Sequence, residues 1–172
     1  MNGYKRINPT ELDGNVFRMI GDDWMLVTAT DAKGSVNTMT ASWGGMGILW
    51  GEPVCFVFVR PQRYTHEFTE SGDKITLSFF GGGNRSALNY CGTVSGRDTD
   101  KIKNAGLTTI VTDEGAVGFS EAKVIISCHK LYSDKLKKEC FHEVALLSNY
   151  RNDDFHTVYV YKIDGVYTKN EP

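Results

Sequence analysis

The run VCFVFV at residues 54–59 constrains this chain more than any other feature. Six consecutive apolar residues, five of them β-branched or aromatic, are too few for an ordinary helix and read as a central strand buried on both faces. Its neighbours extend the same pattern. WMLVTAT (24–30) is apolar and β-branched, and Asp31-Ala32-Lys33-Gly34 supplies a turn into a second strand beginning near Val36. KITLSFF (74–80) alternates apolar and polar residues before three glycines. Residues 107–111, 122–128 and 157–163 complete the strand set. The helical signals are short: 65–70, with a hydroxyl at its start and acidic residues in its first turns; 84–90; and 98–105, closed by Gly106. Strands outnumber helices and long βαβ alternation is missing. The spacing suits one antiparallel β-barrel with short helices at its rim, and disfavours a doubly wound parallel sheet.

At 172 residues, with no repeat or low-complexity linker, the chain reads as a single domain. A formal charge of -2 gives no general attraction to nucleic acid or anionic membrane. The N-terminal residues lack the apolar core of a signal peptide, and no run approaches the roughly 20 apolar residues of a membrane helix. Cys55, Cys91, Cys128 and Cys140 are widely spaced without a CxxC pair. They read as reduced, core-packed thiols, and a cytoplasmic location is expected.

Several chemistries are not signalled. The glycine clusters never run into Gly-Lys-Ser/Thr, and no G-x-G-x-x-G lies between a strand and a helix. His66, His129, His142 and His156 are scattered, with no HExxH and no zinc-site spacing. No cysteine has a base beside it in sequence that would make it a nucleophile.

Three polar segments interrupt the apolar pattern. VNTMTASWGG (36–45) places hydroxyls on a strand before a tryptophan and two glycines. Arg60-Pro61-Gln62-Arg63-Tyr64-Thr65 runs from the apolar strand into a helix start. Helix N-terminal amides there favour an anion and an arginine can clamp phosphate, although solvated arginines at a capped helix fit the same residues. Ser78-Phe79-Phe80 precedes the glycines as either core or ligand wall, with core the simpler reading. A fourth stretch, 89–101, reads as a polar connector.

Taken in order, WMLVTA (24–29), NTMTASWG (37–44), VRPQRYT (59–65), LSFF (77–80), CGTVSGRDTDK (91–101) and the His-x-Val-Tyr segment at 156–159 resemble the flavin reductase-like proteins with an FMN-binding split barrel, in particular the flavoredoxin-like branch. The resemblance spans about residues 15–165. It implies a mostly β, antiparallel Greek-key split barrel with short peripheral helices, forming a homodimer with one FMN per subunit near the interface. In that arrangement Asn37, Thr38, Met39, Thr40, Ala41, Ser42 and Trp43 run past the isoalloxazine. Arg60, Arg63, Tyr64 and Thr65 lie at the ribityl phosphate, and Ser78, Phe79 and Phe80 flank the ring. Ser95 and Lys101 close over the cofactor or its partner subunit, and His156 stands on the nicotinamide or substrate side. No metal is expected. The implied activity is an FMN-binding oxidoreductase of the NAD(P)H:flavin or ferric reductase type, taking electrons from NAD(P)H or a reduced carrier. A flavin-binding module without turnover, and a split barrel holding another planar ligand such as haem, are the alternatives. The segment 43–50 is bulkier than the serine-rich loop of two-component flavin reductases, which points toward FMN held tightly.

Overall fold

The computed structural model describes residues 1–170. Among them, β1 (Tyr4–Ile7), β2 (Met25–Thr30), β3 (Val36–Ala41), β4 (Gly44–Leu49), β5 (Glu52–Val59), β6 (Lys74–Phe79), β7 (Thr109–Val111), β8 (Val117–Phe119), β9 (Val124–Lys135) and β10 (Thr157–Lys169) carry the architecture. The helices α1 (Val16–Arg18), α2 (Tyr64–Ser71), α3 (Arg85–Thr93) and α4 (Lys101–Asn104) are short. One sheet runs in the order β3-β2-β6-β9-β10-β5-β4, with β1 paired to the second half of β10, while β7 and β8 form a separate hairpin. Every pairing is antiparallel.

The two ends of that order, β3 and β4, are consecutive in sequence, and only Ser42 and Trp43 separate them. The sheet therefore curls until its edges approach, and the gap between them is the split of a Greek-key split barrel. Register shifts along the β9–β10 pair, between Val160 and Tyr161 and between Ile163 and Gly165, supply the curvature. At Gly165 a Cβ would stand 2.9 Å from the Tyr167 ring, so the bend takes glycine there.

Two cores result. Met25, Val27, Met39, Cys55, Val57, Val59, Ile75, Leu77 and Tyr161 fill the barrel. Leu26, Phe80, Leu88, Cys91, Phe119 and Ile125 join the outer face of the sheet to α3 and the β7–β8 hairpin. β2 is buried at both kinds of position because it contributes Val27 to one core and Leu26 to the other. No helix among the described residues is long and apolar enough to cross a membrane.

The structure departs from the sequence reading in several places. β5 is central but not buried on both faces: Cys55, Val57 and Val59 are buried, whereas Phe56 and Phe58 are only half-buried. Glycine-rich β4 beside it offers few side chains to cover that face. Residues 44–49, expected as a loop, form β4, joined to β5 across Trp50-Gly51, where φ is +54° and +74°. Two central residues at positive φ make the hairpin turn whose twist matches the strands, with a tryptophan at a position usually held by Asn, Asp or Gly. β9 runs well beyond 128 because its residues 129–135 pair with the first half of β10, and β10 runs beyond 163 because its second half pairs with β9 and gains β1 as a neighbour. Residues 91–93, expected in the connector, continue α3. Cys55, Cys91 and Cys128 are buried, but Cys140 is exposed on the excursion between β9 and β10.

Candidate functional site

The split collects the polar segments. Met39, Thr40, Ala41, Ser42 and Trp43 at the end of β3, Phe58 and Arg60 at the end of β5, Arg63 at the start of α2, and His156 just before β10 line a cleft of about 180 Å³. A second cavity of about 170 Å³ shares Arg63 and adds Gln62, Tyr64, Thr93, Val94, Ser95 and Lys101. Beyond it a larger groove of about 850 Å³ shares Tyr64 and Lys101 and is lined by Asn37, Arg97 and Lys103 among others. Arg63 and Lys101 thus stand where the three spaces meet.

β3 pairs only with β2, so its other edge carries backbone amides and carbonyls that the sheet does not use. The side chains of β3 are mostly committed. Thr38 is fully buried, its hydroxyl 3.0 Å from that of Thr28 and donating to the Val27 carbonyl at 3.2 Å. Met39 lies in the barrel core. Thr40 donates to the Leu88 carbonyl, and Asn37 Nδ2 donates to Thr65 Oγ1 at 2.8 Å. Asn37 and Thr65 therefore hold β3 against α2. The backbone of this segment, with Ala41, Ser42 and the half-exposed Trp43, is what faces the cleft.

The cations divide into two roles. Arg60 donates to Asp154 Oδ2 at 2.5 Å and to the Asn149 carbonyl at 2.9 Å, and its guanidinium lies 5.3 Å from the centre of the Tyr150 ring. Gln62 donates to the same Asp154 oxygen at 2.6 Å. The hydrogen bond from Arg60 holds the Asp154 carboxyl below its ordinary range. Arg60 is thus a tie between β5 and the excursion at 136–156, and not a cation left free for phosphate.

Arg63 and Lys101 have no carboxylate partner among the described residues. Arg63 donates to the carbonyls of Gly92 at 2.7 Å and Cys91 at 3.4 Å. Lys101 Nζ donates to those of Cys91 and Val94, both at 3.2 Å. The two cations therefore converge on the C-terminal carbonyls of α3, where the helix dipole favours positive charge. Burial, and then the neighbouring Arg63, push the Lys101 ammonium down to about 8 from 10.5, while the Cys91 thiol pulls it weakly the other way. Burial lowers Arg63 as well. The first turn of α2, whose N-cap is Arg63, has no side-chain cap. A buried lysine and a half-buried arginine, both without a carboxylate partner and beside uncapped helix amides, could hold a dianion. Ser95 lines this cavity, its hydroxyl accepting from the Arg97 amide at 3.2 Å.

His156 forms the other end. Its ring lies 5.5 Å from Trp43, 6.3 Å from Phe58 and 5.5 Å from Tyr150, centroid to centroid. Burial first, and then Arg60, lower the imidazole to about 4, so it is neutral at ordinary pH. Trp43 is a wall of the cleft at the split and does not plug the barrel interior.

Ser78, Phe79 and Phe80 are not brought to this cleft. Phe79 belongs to the barrel core, Phe80 to the outer core, and the buried Ser78 hydroxyl has no hydrogen-bond partner. β6 lies between β2 and β9 in mid-sheet, which leaves its side chains no route to the split. Tyr150 and Asp154, which orient His156 and Arg60, lie in irregular chain and carried no pattern that sequence reasoning could use.

A family model for the flavin reductase like domain matches residues 17–172. The chain belongs to the flavin reductase-like family. Among solved structures, an FMN-binding domain of a flavin reductases-like enzyme from Shewanella baltica superposes with a TM-score of 0.70 at 14% identity, covering 98% of this chain and 78% of that one. Flavoredoxin of Desulfovibrio vulgaris gives 0.67 at 19% identity, covering 94% and 76%. The Streptomyces globisporus NADH:FAD oxidoreductase, solved with NAD and FAD fragments, gives 0.63 at 14% identity, covering 85% and 74%. A search of curated proteins finds no match. Family membership supports a flavin-related oxidoreductase function.

Proposed function

We propose that this chain binds FMN across the split and acts as an FMN-dependent oxidoreductase, taking electrons from NAD(P)H or a reduced carrier and passing them to an acceptor. One observation carries the reading: the carboxylate-free pair Arg63 and Lys101 lies beside the uncapped start of α2 and continuous with a cleft that has an open strand edge and an aromatic wall. A flavin mononucleotide needs those three parts, namely an anion cradle, donors for its polar ring edge, and an apolar face. The bound flavin would supply the hydride chemistry. The chain holds the phosphate with Arg63 and Lys101, meets the ring edge with the free edge of β3, and shelters the ring with Trp43. Donors preset at the ring edge stabilise negative charge there without reorganising. His156, neutral, lines the same cleft beside Trp43, where a second reactant would meet it.

The groove of about 850 Å³ beyond Lys101 favours one variant of this reading, in which the adenylate of FAD lies past the phosphate cradle. Parallel titrations with FMN and FAD separate the two: comparable affinities favour FMN alone, and a gain of tenfold or more with FAD favours the groove. A homodimer is part of the proposal. Ile48 and Trp50 on the β4–β5 hairpin and Leu131 and Tyr132 on β9 are exposed, with Trp50 edge-on to Tyr132 at 6.4 Å, and such a patch on a monomer marks an interface. Sedimentation at micromolar concentration checks it, and a monomer with full flavin occupancy refutes it. The redox step is tested by adding NADH, NADPH or a low-potential carrier anaerobically to the flavin-loaded protein. Bleaching of the flavin's visible absorbance is expected with at least one donor, and failure with all of them leaves a flavin-binding module only.

A further inference from the structure

Residues 136–156 leave the sheet after β9 and return to β10 carrying a small aromatic cluster. Tyr150 stacks on Phe155 with ring centroids 4.8 Å apart and planes 20° from parallel, and meets Phe141 edge-on at 5.7 Å. Its hydroxyl lies 2.9 Å from His156 Nδ1. With Trp43 and Phe58 on its other sides, the imidazole is held in one orientation by three aromatic rings and one hydrogen bond.

The tautomer follows from the donors and acceptors present. If Nδ1 carried the proton, it would donate to the Tyr150 oxygen, and the phenol proton would need another acceptor. Tyr150 is buried, and among the described residues its hydroxyl has no second partner. A buried donor left unpaired is costly, whereas a phenol donating to a bare imidazole nitrogen satisfies both groups. The imidazole proton then sits on Nε2. That atom has no protein partner among the described residues and is not one of the buried atoms left unsatisfied, while its ring lines the cleft.

We infer that Tyr150 is a positioning residue that fixes His156 as the neutral Nε2–H tautomer, so that the ring-side cleft offers a hydrogen-bond donor to a carbonyl oxygen on a flat, apolar ligand. The surroundings agree. Arg60 over the Tyr150 ring disfavours a second positive charge, and the Asp154 carboxylate that could oppose it is already bonded to Arg60 and Gln62. Trp43, Phe58, Met39 and Ala41 give the cleft an apolar surface beside the imidazole, with Thr40, Ser42, Arg60 and Arg63 completing its lining. An anion is served at the other end by Arg63 and Lys101, so this end suits a neutral acceptor atom. The ligand part of the inference rests on the flavin-site reading; the tautomer does not.

The test uses the full chain with ¹⁵N-labelled histidine. Long-range ¹H–¹⁵N correlations should show His156 as a single Nε2–H form that persists from pH 8 to 5. Tyr150→Phe keeps the stacking on Phe155 and removes only the hydroxyl, and should convert that signal to a mixture of tautomers. An Nδ1–H form in the wild type, or an unchanged ratio in the variant, overturns the inference, and the wild-type spectrum decides alone if the variant does not fold. Carbonyl-¹³C FMN and then carbonyl-¹³C nicotinamide identify the acceptor. Stronger deshielding of one of them by wild type than by Tyr150→Phe supports the donor role, and deshielding of neither overturns it. A Nε2–H histidine in a protein that binds no FMN would sink the flavin reading while leaving the role of Tyr150 toward His156 intact.

Discussion

Replacing Lys101 with methionine should stabilise the empty protein and weaken its hold on FMN at the same time. Lys101 is 4% exposed, and its ammonium is pushed from 10.5 to about 8 by burial and by Arg63. At about 1.4 kcal/mol per pH unit, that shift means the buried charge costs the fold roughly 3 kcal/mol below pH 8. The sign follows from proton counting. Between about 8 and 10.5 the unfolded chain binds more protons than the folded one, so this group's penalty is present below 8 and is relieved as pH rises through that window. Methionine keeps the stem and removes the charge, but it leaves the Val94 carbonyl without a donor, which returns about 1 kcal/mol. The net gain of about 2 kcal/mol at pH 7 corresponds to a Tm higher by about 4–8 °C for a domain of this size. FMN loses a charge-assisted phosphate contact worth roughly 1.5–3 kcal/mol, a 10- to 100-fold weaker Kd. Differential scanning fluorimetry of the flavin-free protein and a flavin fluorescence titration measure the two effects. A lower Tm with unchanged affinity would show that Lys101 is a structural cap of α3 and would refute the phosphate cradle.

The two arginines should separate. Arg63→Ala should weaken FMN by roughly 1.5–3 kcal/mol, whereas Arg60→Ala should change FMN affinity by less than about threefold and instead loosen 136–156, read as faster amide exchange there. Thr38→Leu should destabilise the fold by about 1–3 kcal/mol through overpacking against Thr28, seen in a urea titration of the flavin-free protein. Equal stability with lost flavin would instead place the Thr38 side chain at the ring. Acid should weaken the fold through His156. With its folded value depressed to about 4 against 6.5 unfolded, its share of stability is present above 6.5 and lost as pH falls toward 4. His156→Gln should flatten the fall in urea midpoint over that window, and an identical pH profile would contradict the burial argument.

What the sequence disclosed followed local chemistry. Apolar β-branched runs marked β2, β5 and β6, and the order of the polar segments marked the ends of β3 and β5 and the start of α2. Glycine-rich β4 has no strand propensity of its own, and exists because the Trp50-Gly51 turn folds it onto β5. Arg60 and Arg63 look alike in VRPQRYT. Only the return of Asp154, 94 residues later, ties Arg60 to the excursion, while Arg63 donates to a carbonyl at the end of α3 and has no carboxylate partner among the described residues. Ser78 to Phe80 end a strand just as the site segments do, yet mid-sheet placement buries them. The hydroxyl-rich 36–42 is polar because Asn37, Thr38 and Thr40 bond to α2, β2 and α3, and the outer edge of β3 is unpaired because the sheet joins it only to β2.

The central claim is that the split holds a flavin with its phosphate between Arg63 and Lys101. Titrating the flavin-free protein with FMN and with riboflavin, which lacks the phosphate, tests it most directly. The account predicts saturable FMN binding, with riboflavin at least tenfold weaker in wild type and nearly equal to FMN in the Arg63→Ala/Lys101→Met double variant. Equal affinities of wild type for the two flavins, or no flavin binding at all, would contradict it.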